Sequence, residues 1–103
     1  MTKVVEVAAA ILLRKGENGT EYLLAQRPEG KVYAGYWEFP GGKVEPAETM
    51  REALIREIQE ELGVTVDSAF PWVSCRFTYP HATVRLKFFH VTSWTGEIAP
   101  IEH

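Results

Sequence analysis

Apolar residues in this chain follow different periods in different stretches, and those periods predict its elements. Val4 to Leu13 is rich in Val, Ile, Leu and Ala and predicts a strand. "RKGENGT", Arg14 to Thr20, reads as a polar turn holding Asn18-Gly19, and "EYLLAQ" as the antiparallel strand that returns from it. The loop "RPEGKVYAGY" carries Pro28, Gly30 and Gly35 and leads into "WEFPGGK". There Trp37 and Phe39 suggest a short strand, ended by Pro40 and a turn at Gly41-Gly42.

The period then changes. Met50, Leu54, Ile58 and Leu62 recur every four residues with Ala53 and Ile55 beside them, an apolar stripe that must pack on a sheet. Thr49 followed by Glu52 forms a capping box, and Gly63 is the C-terminal stop. Beyond the helix, "FPWVSCRFTYP" and "ATVRLKFFHVTSW" read as a second hairpin turning at Pro80-His81. The order strand, strand, short strand, helix, strand, strand predicts a mixed α/β fold rather than a doubly wound parallel sheet.

With 103 residues and 46% of them hydrophobic, the chain reads as one domain. A net charge of −3 with scattered cations argues against duplex nucleic acid or an anionic membrane surface as partner. Cys75 is the only cysteine, so an intramolecular disulfide and a Cys-based zinc site are excluded. That fits a cytoplasmic setting. The apolar run Val7 to Leu13 is far shorter than the ~20 residues of a membrane span. The start of the chain also lacks the pattern of a signal peptide.

One stretch resists a purely structural reading. In "REIQEELG", Arg56 to Gly63, the helical spacing puts Glu57, Glu60 and Glu61 in one sector about 100° wide. Each like-charge pair costs an isolated helix about 0.2–0.5 kcal/mol. Arg56 offsets part of this, reaching Glu52 or Glu60 one turn away. Two readings meet here: a solvated acidic face, or a cation cage. The sector borders the apolar stripe, and "FPGGKVEPAE" with Glu48 stands directly before the helix. Hard oxygen ligands so clustered suit Mg²⁺ or Mn²⁺, and Gly41-Gly42 would let a backbone carbonyl turn inward.

From Gly42 the chain reads Gly, five residues, Glu48, seven residues, Arg56-Glu57-Ile58, one residue, Glu60-Glu61, one residue, Gly63-Val64. This resembles the complete Nudix box. "LLAQRP", "WEFPGGK" and "WTGE" are similar to the MutT-like branch of that family, and the likeness runs over nearly the whole chain. The resemblance implies an α/β/α sandwich around a mixed sheet. It also implies a Mg²⁺- or Mn²⁺-dependent hydrolase that converts nucleoside triphosphates, notably 8-oxo-dGTP, to monophosphate and pyrophosphate and so cleans the nucleotide pool for DNA replication and repair.

Carried over residue by residue, the resemblance makes Glu57, Glu60, Glu61 and the Gly41 carbonyl metal ligands, with Glu48 in the same network and Arg56 orienting the carboxylates. Glu102 stands as a metal ligand or general base, or as a tail residue. Arg27 and Lys43 stand as phosphate contacts or surface cations. Phe39 and Tyr79, with Val7 or Ala9, are candidates for the wall of the base pocket or plain core. His81, His90 and Cys75 read as structural. MutT-like domains continue with a strand and a C-terminal helix, so the domain is expected to be truncated after His103. Self-association would then close its uncovered sheet, and a further domain could follow. Other nucleoside diphosphate-linked substrates, or a Nudix-like recognition module of a DNA repair protein, are the alternatives.

Overall fold

The computed structural model describes residues 3–26 and 37–98. Eight elements follow in order: β1 (Lys3–Gly16), β2 (Gly19–Tyr22), β3 (Ala25–Gln26), β4 (Trp37–Glu38), β5 (Gly41–Lys43), α1 (Met50–Leu62), β6 (Thr65–Thr78) and β7 (Ala82–Thr95). The main sheet runs β2-β1-β7-β6. β5 adds to the same edge of β1 as β2, along Val7 to Ala9 where β2 takes Leu13 to Gly16. β1 and β7 are parallel and the other main-sheet pairs antiparallel, so the sheet is mixed as expected. β3 and β4 form a separate two-stranded ribbon.

Several elements differ from the sequence reading: the predicted strand "EYLLAQ" is divided between β2 and β3, and β6 begins at Thr65 rather than Phe70. The strand predicted to stop at Leu13 continues to Gly16, and the turn shrinks to Glu17-Asn18. Arg14 and Glu21 are polar but face each other across the hairpin at 3.0 Å, which keeps this solvated end paired. Gly41-Gly42 is not a turn. Both glycines are strand residues, opposite Ala9 and Ala8.

The helix forms as its sequence dictates. Thr49 accepts a hydrogen bond from the Glu52 amide, Glu52 accepts one from the Thr49 amide, and Gly63 ends the helix at φ 72°. Because Glu52 is committed to the cap, the Glu52–Arg56 pairing allowed by spacing is not made. Ala53, Leu54, Ile58 and Leu62 are buried against Ala8, Ala10, Leu12, Phe89 and Val91 of the sheet. Truncating a fully buried Leu54 or Ile58 to Ala costs about 2–5 kcal/mol on the usual scale for such sites.

The opposite face carries Ala9 and Ile11, both buried, and the Phe39 ring edge-on to Phe88 at 5.9 Å. Among the described residues there is one helix, α1, so they carry one of the two helical layers of the expected sandwich. Among the described residues no helix is long and apolar enough to cross a membrane.

The loop from β5 into α1 stores strain. Ala47 sits at φ 65°, a left-handed conformation that costs an L-residue about 1–2 kcal/mol. Ala47→Gly relieves that strain at some cost in unfolded-state entropy, for an expected net gain of about 0.5–1 kcal/mol in urea denaturation. A lower urea midpoint for the variant would contradict this.

Candidate active site

The site starts from the β5–β1 ladder. Ala10 donates to the Pro40 carbonyl at 2.8 Å and Val44 donates to the Glu6 carbonyl at 2.8 Å. Hydrogen-bonded pairs alternate along an antiparallel ladder, so Gly41, between two of them, points its N–H and C=O away from β1. The N–H donates to Glu61 Oε2 at 3.3 Å. The carbonyl is likewise clear of the ladder, as the expected ligand role requires. Gly41 is demanded by close approach, since a Cβ there would strike the Ala8 carbonyl, whereas a Cβ on Gly42 would displace only the Glu57 carboxylate from the place it takes against the strand.

Arg56 is the hub. Its Nε and Nη2 grip Glu48 at 2.8 and 3.0 Å, its Nη1 donates to Glu57 Oε1 at 2.8 Å, and Nη2 also donates to the Lys43 carbonyl at 3.0 Å. Nη1 lies 3.6 Å from Glu60 and 3.9 Å from Glu45. A planar guanidinium suits this many directed bonds in a way an ammonium does not. The Arg56 fork and the Glu45 amide hold the Glu48 carboxyl down at about 2. Arg56 itself is held more firmly protonated by Glu48 and Glu57.

Glu61 is the opposite case. Burial, then the negative charges of Glu57, Glu38 and Glu60, push its carboxyl up to about 7, against the opposing pull of the Gly41 N–H. The pH dependence follows from the signs. Ionising Glu61 destabilises the fold increasingly from pH 4.5 through 7, whereas the Glu48–Arg56 pairing is lost as pH falls from 4.5 through 2. Metal-free melts are therefore expected to peak near pH 4.5–5, and Mg²⁺ to raise the melting temperature more at pH 8 than at pH 5. An equal Mg²⁺ effect at both values would contradict this.

The expected cage is not closed in advance. Among the described residues no three Asp, Glu, His or Cys side chains converge closely enough to hold a metal ion. The reason is Arg56, whose Nη1 supplies the positive charge between Glu57 and Glu60. The donor set still fits a hard divalent cation: carboxylates only, with Glu61 pushed up first by burial and then by its neighbours' charge, beside a glycine carbonyl turned off its ladder.

Other sequence candidates scatter. Glu57 is half-buried at 18% side-chain exposure and Glu60 exposed at 61%. Lys43 is exposed, and its carbonyl rather than its ammonium makes the described contact with Arg56. Phe39 adjoins the glycine pair and packs on Phe88. Tyr79 does not join it: Tyr79 sits at the β6–β7 turn, stacked on His81 and paired with Ala82, which lies level with Lys3. Lys3 is six residues from Ala9, or about 20 Å along the strand. Arg27 and Glu102 lie outside the described residues. Sequence reasoning missed Glu38, whose charge acts on Glu61, and Glu45, whose amide and carboxylate serve the Glu48–Arg56 pair. Their signal was position alone, within a few residues of the glycine pair and of Glu48.

Comparison with known proteins agrees with this fold. The NUDIX domain profile matches residues 4–103. The chain is 38% identical over 96 residues to an 8-oxo-dGTP diphosphatase of Proteus vulgaris, covering 93% of this chain and 83% of that one. It is 42% identical over 101 residues to the CTP pyrophosphohydrolase of Escherichia coli K12, covering 98% and 72%. The solution structure of the E. coli ORF135 protein superposes with a TM-score of 0.83 at 41% identity, covering 99% of this chain and 70% of that one. The mixed sheet, the carboxylate helix laid over a glycine pair, and these likenesses converge: the chain belongs to the Nudix hydrolase family, in its MutT-like branch.

Proposed function

We propose that this Nudix hydrolase is a Mg²⁺-dependent (or Mn²⁺-dependent) pyrophosphohydrolase of nucleoside triphosphates, acting on 8-oxo-dGTP or a related purine deoxynucleotide in nucleotide-pool sanitation. The observation that carries the reading is the joining of Glu57 and Glu61 on α1 to the Gly41-Gly42 strand, with Glu60 on the same helix face and Arg56 and Glu48 bracing it. Glu57, Glu60, Glu61 and the Gly41 carbonyl would hold the metal. Bound there, the metal would neutralise phosphate oxygens and lower the pKa of the attacking water. Arg56 fixes the carboxylate orientations by its bonds to Glu57 and to the Lys43 carbonyl. The Phe39 ring, on the sheet face opposite the helix, offers an apolar wall for a base.

A second reading keeps the chemistry and changes the base. The 42% identity to a CTP pyrophosphohydrolase favours a pyrimidine triphosphate. A metal-free recognition module is disfavoured because every box carboxylate is present, with Glu48, Glu57 and Glu61 held by hydrogen bonds. The test is hydrolysis of 8-oxo-dGTP, dGTP, CTP and ADP-ribose with Mg²⁺ and again with EDTA, products separated by ion exchange. Monophosphate plus pyrophosphate from one triphosphate, abolished by EDTA, is the expected result. No cleavage of any substrate, or cleavage indifferent to EDTA, would sink the proposal.

A further inference from the structure

Two arginines of α1 reach backbone carbonyls on opposite sides of the helix. Arg56 donates to the Lys43 carbonyl of β5 at 3.0 Å, and Arg51 donates to the Ala69 carbonyl of β6 at 2.8 Å. Five residues apart, the two project about 140° from one another around the helix. The apolar stripe binds α1 to the sheet without fixing its roll, because dispersion and hydrophobic contact are non-directional. Directed bonds on both flanks do fix it. Arg51 also lies over the Phe89 ring, its Cζ 5.8 Å from the centroid, so its position is held twice. Ala69 stands at a register shift between Ser68 and Ala69 in the β6–β7 ladder. Such an irregularity leaves backbone groups for a side chain to satisfy.

We infer that Arg51 is a positioning residue for the carboxylate set: it moors the β6 flank of α1 so that Glu57 lies against Gly42 and Glu61 meets the Gly41 N–H on the β5 flank. The tolerance there is small. Glu57 occupies the space a Gly42 side chain would take, and the Gly41–Glu61 bond is already 3.3 Å long. A slight roll of the helix about the remaining Arg56 mooring separates both pairs. Among the described residues Arg51 contacts the Ala69 carbonyl and the Phe89 ring, so its influence on the carboxylates travels through the helix.

This inference rests on the metal-binding reading above, and its test separates the two. Mn²⁺ binding to the folded chain, without nucleotide, is followed by the electron paramagnetic resonance of free Mn²⁺, well below the melting temperature and at pH 8. Arg51→Ala is expected to weaken Mn²⁺ binding roughly tenfold, the low end of what loss of an outer support costs a metal site. Arg51→Lys, which keeps a cation and a donor within reach of Ala69, is expected to restore most of it. A merely structural role would lower the melting temperature and leave Mn²⁺ affinity unchanged at the lower temperature. Wild-type affinity in Arg51→Ala overturns the inference while leaving the metal reading intact. Absence of Mn²⁺ binding in the wild-type chain overturns both. Should Arg51→Ala fail to fold, Arg51→Gln, whose shorter amide falls short of Ala69, takes its place with the same two outcomes.

Discussion

Glu60→Gln is expected to reduce Mg²⁺-dependent turnover on the order of a hundredfold or more while leaving the fold unchanged. The substitution separates chemistry from stability because of where Glu60 sits. Its side chain is 61% exposed and its closest described charge contact is Arg56 at 3.6 Å, long for a hydrogen bond. Exposed pairs of this kind contribute little, so a metal-free melt should move by no more than about 0.5 kcal/mol equivalent. Removing one of three negative charges from a site built on hard oxygen donors, by contrast, lowers cation affinity directly. A Glu60→Gln enzyme with full turnover at wild-type Mg²⁺ concentrations would reject Glu60 as a ligand.

Gly41→Ala acts from the other side of the site and should damage both fold and function. Its Cβ would be driven into the Ala8 carbonyl and against Ala9 Cα, backbone atoms of a strand paired on both edges. Neither can yield without breaking the β5 ladder or shifting β1 against β7. The cost is expected at about 3 kcal/mol or more, at or beyond the upper end for overpacking, and for a domain of this size that lowers the melting temperature by more than about 10 °C. At temperatures where the variant stays folded, displacement of β5 separates Gly41 from Glu61, so Mg²⁺ dependence should weaken too. A melting temperature within about 3 °C of wild type would show that β1 can accommodate the methyl group, contrary to the packing described.

The helix and the placing of its carboxylates were legible without coordinates because they are local. Thr49, Glu52 and Gly63 cap through bonds spanning three or four residues, and the sector holding Glu57, Glu60 and Glu61 follows from helical spacing alone. The Pro80-His81 turn was readable for the same reason. The glycine pair was misread as a turn because glycine signals only an absent side chain. Whether the cause is a turn or the close approach of another strand depends on β1, some thirty residues earlier.

By itself, then, the sequence determined the family and that three carboxylates share one helical face. The tertiary structure decided what surrounds them. Arg56 takes Glu48, Glu57 and the Lys43 carbonyl in place of Glu52, Glu61 is raised by burial and by Glu38, and Tyr79 lies at the far end of the sheet from Gly41. These outcomes depend on the register of β5 and β7 against β1, which side-chain spacing along a single element does not encode. A carboxylate's identity is local, but its pKa and its partners are set by strands far away in the chain.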